Sequence, residues 1–174
     1  RVNRGEFPHF AAHGGDCFFF PCRDPARAAE LAVDLVQNRI PHQFGLAPEE
    51  IQVLAPMHKG TAGVRALNAH LQAALNPAVP GQAERVSRGA ALRRGDRVMQ
   101  QRNNYDKGVF NGDLGTITRV DVDEEEGTSA VMVDFDGLPV VYDQDECGEL
   151  ALAYATTIHK SCLLYTSDAA DEED

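Results

Sequence analysis

The stretch Ala151-Leu-Ala-Tyr-Ala-Thr-Thr-Ile-His-Lys-Ser161 constrains the chain more than any other. From Ala151 to Thr156 every residue is small, apolar or hydroxylated and none is charged, the composition of a strand buried on both faces of a sheet. Charge returns at His159-Lys160. Thr157, His159 and Lys160 would then stand at the carboxyl end of a buried strand, where open α/β sheets usually carry their binding sites. Hydroxyl, imidazole and ammonium together suit an anion such as a phosphate backbone. Spacing alone equally permits a core strand followed by a solvated lysine and an ordinary loop histidine.

Upstream, the pattern alternates. Residues 1–15 show no periodicity and read as a loop, and Cys17-Phe-Phe-Phe20 reads as a short apolar strand with Cys17 in the core. Asp24-Pro25 is an N-cap followed by proline at the first helical position. Ala28, Leu31, Leu35 and Val36 recur at helical spacing through about Arg39, with Pro41 closing the segment. Pro48-Glu-Glu50 leads into a second buried strand over 51–56, and Met57 to Gly63 opens a helix whose apolar stripe is Val64, Leu67, Leu71 and Leu75, ended by Asn76-Pro77. Strand, helix, strand, helix implies parallel strands with right-handed crossovers. Lys59-Gly60-Thr61-Ala62-Gly63 combines backbone N–H groups, a helix N-terminus, a hydroxyl and an ammonium, which can hold a phosphate. An ordinary capped helix fits the same spacing. The chain contains no Gly-x-x-x-x-Gly-Lys-Ser/Thr loop.

Residues 78–88 read as a polar linker, and from Arg93 the period changes to two. Asp96–Arg102 and Leu114–Val120 alternate, Val109-Phe110 precedes Asn111-Gly112, and 130–135 and 138–142 flank Asp136-Gly137, a hairpin signal. Four or five short strands in this span predict a small antiparallel barrel of the Src-homology-3 type. It is inserted into the α/β unit, because the buried-strand pattern returns at Leu150. Arg102, Asn103, Asn104, Tyr105 and Lys107 offer donors and one stacking ring suited to unpaired nucleic acid. Asn-Asn-Tyr-Asp fits a plain turn equally well, and Asn111-Gly112 reads as turn chemistry.

Three stretches carry a resemblance. Ala-Tyr-Ala-x-Thr-x-His-Lys-Ser resembles motif V of the RecD-like superfamily 1 DNA helicases. Ile51 to Asn68, with Gln72 and Asn76-Pro77, is similar to their motif IV region. Gly95-Asp-Arg-Val-Met-Gln and Asn103 to Gly115 resemble the accessory barrel of their second RecA-like domain.

The resemblance covers 1–161 and implies an α/β fold: a partial RecA-like parallel sheet with an inserted Src-homology-3-like barrel. Residues 1–92 and 149–161 would be the second RecA-like domain and 93–148 the barrel. It implies an ATP-dependent 5'-to-3' DNA helicase using ATP and Mg2+, most of whose ligands lie outside this chain, so that the chain alone has no ATPase activity and no catalytic residue. Thr157, His159 and Lys160, with Lys59 and Gly60 and the barrel's Arg102 to Lys107 group, would meet single-stranded DNA. The first RecA-like domain would be the other partner, and recombination-complex subunits a further class. A freestanding nucleic-acid or protein-binding module without a motor is the alternative.

The pattern departs after Ser161. Cys162 to Glu172 reads as the translation of a transposon sequencing adapter, so 162–174 is expected to be a non-native tail and the open frame to break off at Ser161. Arg1, likewise, reads as a cut edge. The formal net charge of -11 is misleading for a phosphate binder. Five of the 27 acids lie in that tail, leaving 22 against 16 bases, and Asp123 to Glu126 reads as a solvated acidic loop tip. Without the tail, three cysteines remain with no C-x-x-C pair or histidine ladder, which predicts reduced thiols, no metal site and a cytoplasmic protein. No apolar run approaches the length of a membrane-spanning helix.

Overall fold

The computed structural model describes residues 4–5, 10, 17–123 and 128–161. Most of the expected N-terminal loop, the acidic tip at 124–126 and the expected tail at 162–174 lie outside the described residues. The fold is mixed α/β. Helix α1 (Pro25–Asp34) starts where Asp24 Oδ1 accepts the Ala26 N–H at 3.0 Å. It continues through a π turn (Leu35–Arg39) into α2 (Ile40–Phe44), so Pro41 does not close it. Ile40 N–H reaches back to Leu35 O, and this widened turn accommodates the proline ring and its missing donor. Gly45, at φ 72, ends the helix instead.

Strand β1 (Val53–Ala55) is followed by α3 (Val64–Leu75), then by a hairpin of β2 (Glu84–Ser87) and β3 (Ala90–Arg93). That hairpin occupies part of the stretch expected to be a linker. Its strands are four residues each, and β2, Glu-Arg-Val-Ser, is largely polar, a pattern that sequence alone reads as loop. Five antiparallel strands follow: β4 (Arg97–Gln100), β5 (Leu114–Asp123), β6 (Thr128–Phe135), β7 (Leu138–Tyr142) and β8 (Leu150–Leu152), ordered β7-β6-β5-β4-β8. The β6–β7 turn falls on Asp136-Gly137 as expected, with φ of 50 and 94. The last strand, β9 (Ala155–Thr157), pairs in parallel with β1, Val53 opposite Ala155 and Ala55 opposite Thr157.

The expected single strand over 151–156 is therefore two strands in two sheets. Leu150–Leu152 completes the antiparallel sheet beside β4, and Ala155–Thr157 joins β1. Leu152 packs against both cores. One core gathers Leu92, Val98, Ile117, Val133, Tyr142 and Leu150; the other gathers Ala29, Val36, Leu67, Leu71, Tyr154 and Ala155. Leu71 is 0 % exposed, and burying a side chain of that size contributes roughly 2 kcal/mol.

Cys17 is exposed and 17–20 form no strand, contrary to expectation. With no neighbouring strand to bond, the phenylalanines pack as rings, Phe18 on Phe44 at 5.9 Å and Phe19 on Phe10 at 5.1 Å. Cys147 is the buried thiol among those described, and burial pushes its pKa up. Among the described residues no helix is long and apolar enough to cross a membrane.

Two polar devices tie these elements together. Asn68, buried on the inner face of α3, donates to Ala155 O at 2.9 Å and accepts Ala155 N–H at 2.8 Å, doing for β9 what a neighbouring strand would do. Asp96, 0 % exposed between β3 and β4, accepts four donors: Gln72 Nε2 at 2.6 Å, Asn76 Nδ2 at 2.7 Å, Tyr154 OH at 2.9 Å and its neighbour Arg93 N–H at 2.8 Å. A buried carboxylate is tolerated only with such a complement of donors. Asp96 thereby joins α3, the antiparallel sheet and the β8–β9 junction.

Candidate nucleic-acid interface

Because β1 and β9 are parallel and in register at their ends, the segments after Ala55 and Thr157 leave from the same edge. Residues 56–61, which include Lys59 and Gly60, are exposed there. The loop carbonyls are turned toward the helix: Met57 O accepts Val64 N–H at 2.9 Å and His58 O accepts Arg65 N–H at 3.3 Å. These first amides of α3 are therefore not free to cradle an anion, and Lys59 is the part of that expected site left open to solvent. Gly63 permits the arrangement, since a Cβ there would lie 2.4 Å from Lys59 O.

Thr157 is only 7 % exposed, and its hydroxyl accepts the Lys160 N–H at 3.3 Å, so it caps the helical turn that begins at Ile158. His159 faces solvent. Lys160 is half-buried, and its Nζ donates to Gln101 Oε1 at 2.6 Å and to Asn111 Oδ1 at 3.5 Å. Burial, and secondarily the charge of Arg88, holds its pKa below the ordinary lysine value. The end of β9 thus meets the loop between β4 and β5.

That loop divides its expected contact residues in two. Arg102 donates to Glu149 Oε1 at 2.5 Å, Asn104 to Glu149 Oε2 at 3.3 Å, and Lys107 to Glu146 Oε2 at 2.6 Å and Val141 O at 2.5 Å. Asn104 and Lys107 are partly buried by these bonds, whereas Arg102 keeps an exposed side chain. Glu149 is 5 % exposed; burial opposes its ionisation, but donors from Arg102, Gln100 and Asn104 outweigh burial and hold its pKa below the ordinary value. Tyr105 is 77 % exposed and meets Phe110 edge-on at 5.8 Å. Asn103 ties this pair to the Lys160 end, donating to Tyr105 OH at 3.2 Å and accepting Asn111 N–H at 2.9 Å.

These contacts connect Lys160, Asn111, Asn103, Tyr105 and Phe110, while His159 and Lys59 are exposed on the neighbouring segments. Gln101, Phe110 and Asn111 were not legible as members. Phe110 reads only as part of the apolar pair before the turn, and Asn111-Gly112 does form a turn, yet the asparagine side chain also reaches Lys160. A cavity of about 520 Å³ at the joint of helices and barrel, lined by Val36, Leu71, Arg97, Asp134 and Tyr154 among others, includes none of the expected site residues.

Residues 67–135 match the family model described as the ATP-dependent RecD-like DNA helicase SH3 domain. The ATP-dependent RecD2 DNA helicase of Deinococcus radiodurans is 42% identical over 114 residues, covering 66% of this chain and 15% of that protein. Among solved structures, a Bacteroides Pif1 helicase in complex with ADP-AlF3 and single-stranded DNA aligns over 78% of this chain and 36% of its own, at 20% identity and TM-score 0.45. A structure of two coordinating Pif1 helicases at forked double-stranded DNA aligns over 83% of this chain and 39% of its own, at 21% identity and TM-score 0.43. Residues 67–135 thus carry the similarity to the SH3 domain of RecD-like DNA helicases, and the chain spans 15% of the length of the curated relative it matches.

Proposed function

We propose that this chain contributes the single-stranded DNA grip of an ATP-dependent helicase of RecD type, translocating 5' to 3'. The observation that carries the reading is the contact of Lys160 with Gln101 and Asn111, which puts the motif V-like end of β9 and the barrel loop on one surface. In this reading His159, Lys160 and Lys59 meet phosphates while Tyr105 and Phe110 stack on bases, and Asn103 and Arg102 border the strand. Thr157, Asn104, Lys107 and the Gly60 backbone shape the surface rather than touch DNA.

The α/β part, residues 1–92 and 149–161, is proposed as a portion of the second RecA-like domain, with β1, β9 and α3 as its described elements and 93–148 as the inserted barrel. ATP and Mg2+ would be bound mainly by residues beyond this chain, opposite the first RecA-like domain. The chain by itself then binds DNA without hydrolysing ATP. Fluorescence anisotropy of a labelled oligothymidylate with the full chain, alongside an ATPase assay, tests this. Salt-sensitive binding without turnover is expected, and failure to bind at low salt removes the proposal.

A further inference from the structure

Three cations from three elements converge beside the contact just described. Arg65 lies in the first turn of α3, a turn that holds no acid, although the N-terminal end of a helix disfavours positive charge. Arg88 is the first residue of the β2–β3 turn, at φ 52 and followed by Gly89 at φ 79. Two-residue turns of this hand favour asparagine, aspartate or glycine at that position, and a long side chain there is uncommon.

The turn is nevertheless held in place. Ser87 Oγ donates to Cys147 O at 2.8 Å, and Arg88 Nε donates to Gly148 O at 2.7 Å. One residue on, Glu149 O accepts the N–H of Gln101 at 2.8 Å, and Gln101 is the residue that receives Lys160 Nζ. Arg88 and Lys160 thus flank the same short segment. A Cβ built at Gly89 would lie 3.2 Å from Nη2 of Arg65, which brings the third guanidinium against the same turn.

Among the described residues no carboxylate pairs with Arg65, Arg88 or Lys160. Glu149, next to the Gly148 carbonyl that holds Arg88, spends its carboxylate on Arg102, Gln100 and Asn104, and Glu84, four residues before Arg88, pairs with Arg93. Arg88 is close enough to depress the Lys160 pKa, after burial itself. Like charges gathered without a counter-ion repel one another unless an anion sits among them. We infer that Arg65, Arg88 and Lys160 form a phosphate seat that holds one phosphodiester of single-stranded DNA on the α3 side of the barrel. The inference rests on the DNA-binding reading above and adds to it Arg65 and Arg88, neither of which was among the expected contact residues.

The test uses the full chain and a fluorescein-labelled oligothymidylate titrated at several salt concentrations, with Arg65→Gln and Arg88→Gly. Glycine relieves the positive φ at position 88, so that variant is expected to fold. Each variant should weaken binding and lower the slope of log affinity against log salt, with about 0.7, the value for one phosphate contact on a single strand, as the loss when the whole seat is disabled. Arg88→Lys should keep the slope. If the wild-type chain binds and both variants keep the wild-type slope, the seat is overturned while the DNA-binding reading stands. The same chain is also titrated with inorganic phosphate while the Nε–H resonances of Arg65 and Arg88 are followed by NMR. Should the oligonucleotide not bind but phosphate shift both resonances, the DNA reading fails, the assignment of the seat to DNA fails with it, and the three cations form a site for free phosphate only. If neither binds, both are overturned.

Discussion

Lys160 Nζ donates to Gln101 Oε1 at 2.6 Å across 59 positions of sequence, joining the end of a parallel strand to the barrel loop. Gln101 therefore aims the ammonium and Lys160 supplies the charge. Lys160→Ala should weaken oligothymidylate binding about tenfold, the loss of roughly 1.5 kcal/mol for one hydrogen bond to a charged group. Gln101→Ala should cost less and leave the salt slope unchanged. Anisotropy titrations decide it, and wild-type affinity in Lys160→Ala would remove lysine 160 from the interface.

Tyr105 separates stacking from folding. At 77 % exposure it contributes little to the core, so Tyr105→Ala should unfold at the same denaturant concentration as the wild type. Base stacking on one ring is worth about 1–3 kcal/mol, so affinity for the oligonucleotide should fall by at least about fivefold. Unchanged affinity would mean that the ring only covers Phe110.

Asp96 is predicted to be the most sensitive polar position. Asp96→Asn turns an amide toward two of its four donors and should destabilise the chain by about 3 kcal/mol, whereas Tyr154→Phe removes one bond and should cost about 1 kcal/mol. Urea unfolding measures both. Equal costs would show that the four donors do not act as a set.

Asn68→Ala removes two bonds to the backbone of Ala155 at once and leaves a buried N–H and carbonyl unpaired. A loss of about 2–4 kcal/mol follows. Hydrogen exchange at the Ala155 amide should quicken more than at Leu150, which belongs to the other sheet. Uniform quickening across both would contradict the division.

The two buried carboxylates respond to acid with opposite sign. Glu149 has a folded pKa below its ordinary 4.5, so its contribution is fully present above that value and is lost as pH falls through the folded pKa. Asp96 is raised from 3.8, burial outweighing its donors, so its ionised form is penalised at neutral pH and the penalty fades as pH falls through the folded pKa. Glu149→Gln should therefore flatten the acid loss of stability below that value, read by urea unfolding at pH 5, 4 and 3. A steeper loss in that variant would reverse the assignment.

Much of the local structure was legible in the chain. The Asp24-Pro25 start, the α3 stripe and the Asp136-Gly137 hairpin each depend on residues within one or two turns of one another, and the motif-like runs pointed to the family later matched. Pro41 misled because the relief it needs comes from a π turn that no residue type announces.

What the amino-acid order determined by itself was where chain is apolar, where it turns and which short runs resemble a helicase. Only the tertiary structure decided that Leu150–Leu152 and Ala155–Thr157 belong to different sheets, that Lys107 is consumed by Glu146, and that Arg88 and Lys160 flank one segment. The physical reason is range. Periodicity records how a residue sits against its near neighbours, whereas the partner of a strand edge or a long cation is chosen by groups tens of residues away.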